Sequence, residues 1–413
     1  MSALTSREIL RPGSGGLKEA LTAWGMEQLP LVFRVARAVS PIPRFGNTVI
    51  ATRYDHVREV FLNDDAFEVP YRPKLDVIMG GQPFFLGMGD TPQYRDDTAA
   101  MRKVIRIDDI PARLVPAVED AAEKIVANAG GNLEIVDALV RRVTFDVLGV
   151  YFGIADPPNG DLRVWATRLF EFQFADPGGD PSLRAEVDEI APALRSHIQT
   201  QIEQRRAQST RKDDVLGRCL EMQANGEPGF QDDQIRTALM GFIVGGPPQP
   251  PMVVPQALEQ LLRRPDALAG AQQAARRGDD KLLAGYVFEA MRFDPLAPAL
   301  PRIALKDCTI AEGTARARKV SKGTAVLAAF SSAMMDERRV PEPRKFNPHR
   351  LAHEYIHFGY GLHTCFGIHI NKALLPLMLK PLLKRPGLRR APGRLGRLHK
   401  RGIFADQLHV SYN

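Results

Sequence analysis

The sequence predicts a mainly α protein with a minor β component, and three observations carry that prediction. Apolar residues recur at helical spacing through most of the stretch from Thr91 to Arg236, β-prone runs are few and short, and the composition is that of a folded chain. With 413 residues, 44% hydrophobic and 25% charged, it sits on globular averages, which excludes disordered, collagen-like and coiled-coil classes. Lys plus Arg number 55 against 48 Asp plus Glu, a net charge of +7. That balance is only moderately basic, and no nucleic-acid partner is expected from it. Cys219, Cys308 and Cys365 lie far apart in no CxxC spacing, so a disulfide framework and a four-cysteine zinc site are excluded and a cytoplasmic location is expected. Residues 1–16 hold no apolar core of signal-peptide length, and no segment approaches the ~18 apolar residues of a membrane span. A chain of this length buries roughly three quarters of its unfolded surface, enough to enclose a large cofactor.

Taken in order, Thr48 to Thr52 reads as a strand and Asp55 to Asn63 as an amphipathic helix, with Asp55 as N-cap and Val57, Val60 and Phe61 on its apolar face. Residues 70–89, rich in Gly, Pro and large apolar side chains (Met79, Phe84, Phe85, Leu86, Met88), read as an irregular loop over an apolar cavity. Helical spacing is clear in Leu114 to Ala129 and in Ala191 to Ala207. Short β-prone pieces return at Ala304 to Ile310, Thr324 to Phe330 and Gln407 to Tyr412. There is no internal repeat and no Ser/Gly-rich linker. Residues 380–401 carry nine Lys or Arg and no acid, most simply a solvated basic face, alternatively a docking patch for an acidic partner.

The segment Phe358-Gly-Tyr-Gly-Leu-His-Thr-Cys365-Phe-Gly367 delivers one cysteine to the start of an apolar helix, Ile368 to Leu383. Amides at a helix N-terminus stabilise an anion, so Cys365 can serve as a thiolate, a strong axial ligand for haem iron. Gly359, Gly361 and Gly367 would let the backbone approach a flat macrocycle and aim N–H groups at the sulfur. A zinc site built on Cys365, His363 and His369 lacks a fourth ligand at motif spacing.

This loop resembles the haem-binding signature of the cytochrome P450 superfamily, matched at Phe358, Gly361, His363, Cys365 and Gly367. Glu289-Ala-Met-Arg292 supplies the family's ExxR on a helix, where i and i+3 share a face. Lys345-Phe-Asn-Pro-His-Arg350 is similar to the segment whose arginine completes that structural triad. The resemblance implies one haem domain over residues 1–413, with residues 45–89 and 296–330 contributing its β-rich part. It implies haem b held by Cys365, with Arg302 and His363 toward the propionates. The family's early-helix His and Arg positions read here as Tyr94 and Thr98; Arg102, one turn further on, can substitute.

The family's acid and alcohol in the central helix, expected after Asp232 to Arg236, fall on Gly245-Gly-Pro-Pro-Gln-Pro250. Gly245 and Gly246 remain, while Pro248 and Gln249 stand at the acid and alcohol positions. Five prolines in nine residues cannot continue a regular helix, so a break is expected, with a restart near Pro251 or Pro255. An oxygen-activating haem-thiolate enzyme must deliver protons to the reacting oxygen, and neither Pro248 nor Gln249 can relay them. Three readings follow from the resemblance. One is a monooxygenase using O2, protons from water or a substrate hydroxyl, and electrons from a separate ferredoxin and ferredoxin reductase. Another is a peroxygenase or hydroperoxide isomerase or dehydratase using a preformed O–O bond, and the last a non-catalytic haem-binding protein. Arg338, Arg339, Lys345 and Lys372 could meet an acidic redox partner. Phe84, Phe85, Leu86, Phe170, Phe172, Phe174, Val244 and Leu296 to Leu300 indicate a hydrophobic substrate, although Phe at i, i+2 and i+4 cannot all face one cavity.

Overall fold

The structure, a computed structural model, describes residues 6–9, 17–208 and 212–413. Apart from residues 6–9, the expectation made for the first sixteen residues lies outside them. The chain enters through helix α1 (Leu17–Val39), strands β1 (Arg44–Phe45) and β2 (Thr48–Ala51), helix α2 (Tyr54–Leu62), strand β3 (Phe67–Glu68) and helix α3 (Arg72–Met79). A helical body follows: α4 (Pro92–Val104), α5 (Val115–Asn128), the short strand β4 (Asn132–Glu134), α6 (Arg142–Phe152), α7 (Leu162–Phe170), α8 (Pro181–Ala207) and α9 (Val215–Ala224). Helices α10 (Asp232–Gly245), α11 (Pro250–Leu262), α12 (Pro265–Arg277) and α13 (Asp280–Phe293) complete it. Strands β5 (Leu300–Ala304), β6 (Cys308–Ile310), β7 (Arg318–Val320) and β8 (Ala325–Ala328) come next, then a long loop, helix α14 (Ile368–Lys384), and strands β9 (Arg389–Arg390), β10 (His399–Arg401), β11 (Phe404–Gln407) and β12 (His409–Ser411).

Periodicity explains the long helices. In α8, Leu183, Val187, Ala191, Leu194, Ile198 and Ile202 are buried at three- and four-residue intervals, and the Asp180 carboxylate accepts the Ser182 amide at 2.9 Å to cap the first turn. Its start at Pro181 is ten residues before the expected Ala191, because Pro is tolerated at the first helical position. Residues 70–89 depart from the expected irregular loop: α3 forms there, with Pro73 in its first turn, Leu75, Ile78 and Met79 buried at helical spacing, and Gly80 closing it at φ +68°. Asp55 is not the N-cap of α2. That position is Arg53, without a side-chain cap, and Asp55 pairs instead with Arg339 at 2.9 Å.

Five strands form one sheet in the order β1-β2-β8-β5-β3, with β2 and β8 parallel and the rest antiparallel. Arg302 of β5 stands opposite Val326, and the alternation of the strand turns Arg302 and Ala304 inward. This sheet and α2 bury one apolar core around Val49, Val57, Phe61 and Val326, while the helices bury a larger one around Val118, Leu139, Ile198, Leu239, Leu258 and Leu379. The C-terminal β expectation is met by two strands, β11 and β12, and β12 pairs with both β4 and β9. Residues 380–401 are only in part a solvated basic face, with Lys384, Arg389, Arg394 and Arg397 exposed. Lys380 pairs with Glu119 and Asp280, Arg385 with Glu123, Arg390 with Glu259, Lys400 with Asp294 and Arg401 with Asp406, so this segment is stitched to α5, α11 and α13. Among the described residues no helix is long and apolar enough to cross a membrane.

Candidate functional site

Cys365 lies where the loop becomes helix. Its amide donates to the Phe358 carbonyl at 2.9 Å, Ile368 N returns to the Cys365 carbonyl at 3.1 Å, and Gly367 is the N-cap of α14. The Gly367 amide and the Asn371 side chain, Nδ2 at 3.8 Å, both donate to the sulfur. Burial pushes the thiol up, and these two donors pull the other way. Asn371 was not singled out from sequence; its signal is a side-chain amide in the first turn of α14, four residues after Gly367. Gly361 also has a packing reason. At φ +71° a Cβ there would stand 2.5 Å from the Phe61 carbonyl, so the glycine admits the end of α2.

Beneath the loop, Glu289 and Arg292 of α13 form a fork, Nε to Oε2 at 2.9 Å and Nη2 to Oε1 at 2.7 Å. Arg350 joins through Nε at 3.0 Å, and also donates to Glu354 at 2.8 Å and to the carbonyls of Pro341, Glu342 and Lys345. The Asn347 amide and the Tyr355 hydroxyl complete the Glu289 carboxylate at 3.0 and 3.2 Å. His357, also missed from sequence, stacks on Tyr355 with centroids 5.2 Å apart and bonds the Phe288 carbonyl at 2.9 Å.

The end of α10 faces the loop. Phe242 lies 5.4 Å, centroid to centroid, from Phe366, as does Phe85. Phe84 lies against Gly241, where a Cβ would sit 2.2 Å from its Cζ. One turn further on, a Cβ at Gly245 would meet no atom within 4 Å. The helix then breaks as expected at Gly246 to Gln249 and restarts at Pro250, one residue before the first expected position, with Pro250 and Pro251 in its first turn and Pro255 accommodated inside α11. Gln249 reaches back, its Nε2 donating to the Gly245 carbonyl.

Beside the loop, Arg302 is 3% exposed and its Nε has no partner. Nη1 donates to the neighbouring Pro301 carbonyl at 2.9 Å, and the guanidinium lies over Phe61 at 5.0 Å. Burial lowers its pKa, with Tyr71 and Asp64 acting weakly against that. His363 is pushed down to about 4 by burial and then by the Arg302 charge, and it bonds the Met88 backbone. Tyr94 donates its hydroxyl to the Leu362 carbonyl and meets His363 edge-on at 5.8 Å. Thr98 bonds back to the Tyr94 carbonyl at 2.7 Å, and Arg102 stacks over Phe366 at 4.8 Å. A buried guanidinium with an orphaned N–H and no paired carboxylate calls for an anion. Leu362 to Ile368, half-buried along their whole length beside the open space at Gly245, call for a flat apolar body. The propionates and macrocycle of haem fit both demands.

Comparison with known proteins agrees. The cytochrome P450 family profile matches residues 180–389, half of the chain. The chain belongs to the cytochrome P450 family. Among P450 relatives, cyclomarin C epoxidase CymV of Salinispora arenicola is 25% identical over 68% of this chain and 65% of its own length. Erythromycin C-12 hydroxylase of Saccharopolyspora erythraea is 23% identical over 72% of each. Ligand-free cytochrome P450 TbtJ1 superposes with a TM-score of 0.76 at 21% identity, over 98% of this chain and 100% of that one.

Within this P450 the expected apolar wall is only partly assembled. Phe84 and Phe85 are buried against α10, Val244 is 3% exposed, and residues 296–300 are half-buried. Phe170 and Phe174 stay together, ring centroids 4.8 Å apart, across the π turn Glu171–Ala175 that follows α7. Phe170 packs on Phe404, Phe172 lies under Lys74 and Arg184, and Phe174 meets Tyr71. Three of the four cations considered for a partner are already paired within the chain, Arg338 with Asp336, Arg339 with Asp55 and Lys345 with Glu342, while Lys372 is exposed on α14.

Proposed function

We propose that the protein is a haem-thiolate oxidoreductase of the monooxygenase type that oxidises a hydrophobic small molecule, using dioxygen and electrons from a separate ferredoxin-like partner. The observation that carries this is the juxtaposition of Cys365, at the start of α14, with the open space at Gly245 and the unpaired buried Arg302. Haem b, when bound, supplies the redox chemistry of dioxygen. Cys365 would ligate its iron, with the Gly367 amide and Asn371 orienting the sulfur. Arg302 and His363 would hold one propionate side, and Tyr94 with Arg102 the other, while Phe358 and Gly361 shape the loop. On the opposite side Gly245 leaves room for substrate, Gly246 sits tight against the Phe242 carbonyl, and Pro248 and Gln249 supply no titratable group. Protons therefore come through water or through the substrate.

Residues 1–413 act as one haem domain in this reading, residues 45–89 and 296–330 forming its β-rich part. The activities for which the two relatives are named, an epoxidase and a hydroxylase, support oxygen insertion. Of the four cations considered, Lys372 is the one left to meet an acidic electron donor, Arg338, Arg339 and Lys345 being paired within the chain. The test is the absorption spectrum of the reduced carbon monoxide complex. The native protein should give the red-shifted thiolate band, and Cys365→Ala or Cys365→His should lose it. An unchanged band in Cys365→Ala overturns the reading.

A further inference from the structure

The cysteines of this chain differ in what faces the sulfur. Among the described residues no nitrogen donor reaches Cys219 or Cys308, whereas Cys365 has two, the Gly367 amide and the Asn371 side chain with Nδ2 at 3.8 Å. The second contact follows from helix geometry. Asn371 lies one turn after Gly367, its amide donating to the Gly367 carbonyl at 2.9 Å, and a Cα–Cβ bond in a helix leans toward the N-terminus. Its side chain therefore points back over the first turn of α14, where the sulfur is. Gly367 keeps that path open, since a Cβ there would stand 3.4 Å from Asn371 Nδ2 and 4.0 Å from the Cys365 sulfur.

Nothing competes for this amide. Among the described residues the sulfur is the one acceptor that Nδ2 reaches, and the helix behind it is buried from Leu374 to Leu383. No charged side chain acts on Cys365 either, so burial and two neutral donors are what its surroundings supply. A hydrogen bond to an anion is about twice as strong as one between neutral groups, and a low local dielectric strengthens it further.

We infer that Asn371 sets the reduction potential of the haem that Cys365 would hold, raising it by drawing charge from the thiolate. The inference rests on the haem-thiolate reading above. Reduction adds one electron, taken from the separate electron donor, and no proton, so the Cys365 thiolate carries more negative charge after the step than before. A donor fixed on the sulfur therefore favours the reduced state, because hydrogen bonds around an axial ligand tune its potential. Asn371 acts through Cys365, as a positioning residue, and does not touch the substrate.

The experiment is a spectroelectrochemical titration of the haem-loaded protein, native and with Asn371→Leu, which keeps the side-chain bulk and drops the N–H, or Asn371→Ala. Each variant should shift the one-electron equilibrium about tenfold toward the oxidised form, a potential about 59 mV lower. The C–O stretch of the reduced carbon monoxide complex should fall in frequency as well, because a thiolate with one donor fewer pushes more charge toward the bound CO. His369→Gln, at an exposed position in the same turn, should change neither. The inference is overturned if both variants hold haem and keep the equilibrium within about twofold of native. It is equally overturned if neither holds haem, which would make Asn371 a packing residue; where one alone holds haem, that variant decides. The native spectrum separates the two layers. A normal thiolate band with an unmoved potential in the variants sinks the role of Asn371 alone, whereas a missing band in the native protein sinks the haem-thiolate reading.

Discussion

Deleting the Arg292 guanidinium would show how far the cradle under the cysteine loop depends on one buried charge. Arg292→Ala removes both bonds to Glu289, at 2.9 and 2.7 Å, and the bond to the Met334 carbonyl at 3.0 Å. Glu289, which is 0% exposed, keeps Arg350, the Asn347 amide and the Tyr355 hydroxyl. In the native cluster two guanidiniums, Arg292 and Arg350, face two carboxylates, Glu289 and Glu354; in the variant one faces two. Leaving a buried charge uncompensated costs about 3–5 kcal/mol, against a total stability of about 5–15 kcal/mol for a typical fold. The loop built on this cluster should then fail to retain haem. Arg339→Ala is the control, because its partner Asp55 and Arg339 itself are 56% and 57% exposed, and such a pair contributes about 0–1 kcal/mol. The assay is haem absorbance per unit protein together with the urea midpoint. Arg292→Ala should lose both haem and midpoint, Arg339→Ala neither, and Arg292→Lys, which keeps the charge without the fork, should fall between. Full haem occupancy with an unchanged midpoint in Arg292→Ala would refute the reasoning.

Two further outcomes can be measured. Burial lowers the pKa of His357 to about 4 from its ordinary 6.5, so between those values the unfolded chain binds a proton that the fold excludes. Stability should therefore fall as pH drops through that window, by up to about 3 kcal/mol at its lower end. His357→Gln should make the slope shallower, with His363 leaving a residual one, and identical slopes would contradict this account. Gly241→Ala should destabilise by about 1–3 kcal/mol through overpacking against Phe84. Adding Phe84→Ala should cost less in that background than in the native one, and strict additivity in the double-mutant cycle would count against the contact.

The parts of this site that could be read from the sequence are those whose chemistry is local. The cysteine loop, the i, i+3 pair of Glu289 and Arg292, and the proline break all follow from neighbouring residues, and the structure moved the restart by a single position to Pro250. Helix α3 was hidden because eight residues flanked by Pro and Gly look like a loop until the burial of Leu75, Ile78 and Met79 is known. The basic run at 380–401 looked free because its acidic partners, Glu119, Glu123, Glu259 and Asp294, lie 106 to 262 residues away in the chain. The packing of Gly361 against α2 was hidden for the same reason, since the carbonyl that excludes a side chain there belongs to Phe61. Gln249 bonding back to Gly245 and Asn371 reaching Cys365 need the fold itself.

Ionic strength divides this molecule in two. The cluster of Glu289, Arg292, Arg350 and Glu354 sums to zero charge and its side chains are at most 8% exposed, so mobile ions neither reach it nor sense it from outside. The ion pairs that tie residues 380–385 to α5 and α13 are different: Glu119, Asp280 and Glu123 are 35%, 48% and 49% exposed. At about 0.15 M salt the screening length is about 8 Å, and such surface attractions weaken first. Added salt thus loosens the C-terminal seam while the support beneath Cys365 stays as it was, so the grip on the cofactor and the closure of the outer fold respond separately to the same solution.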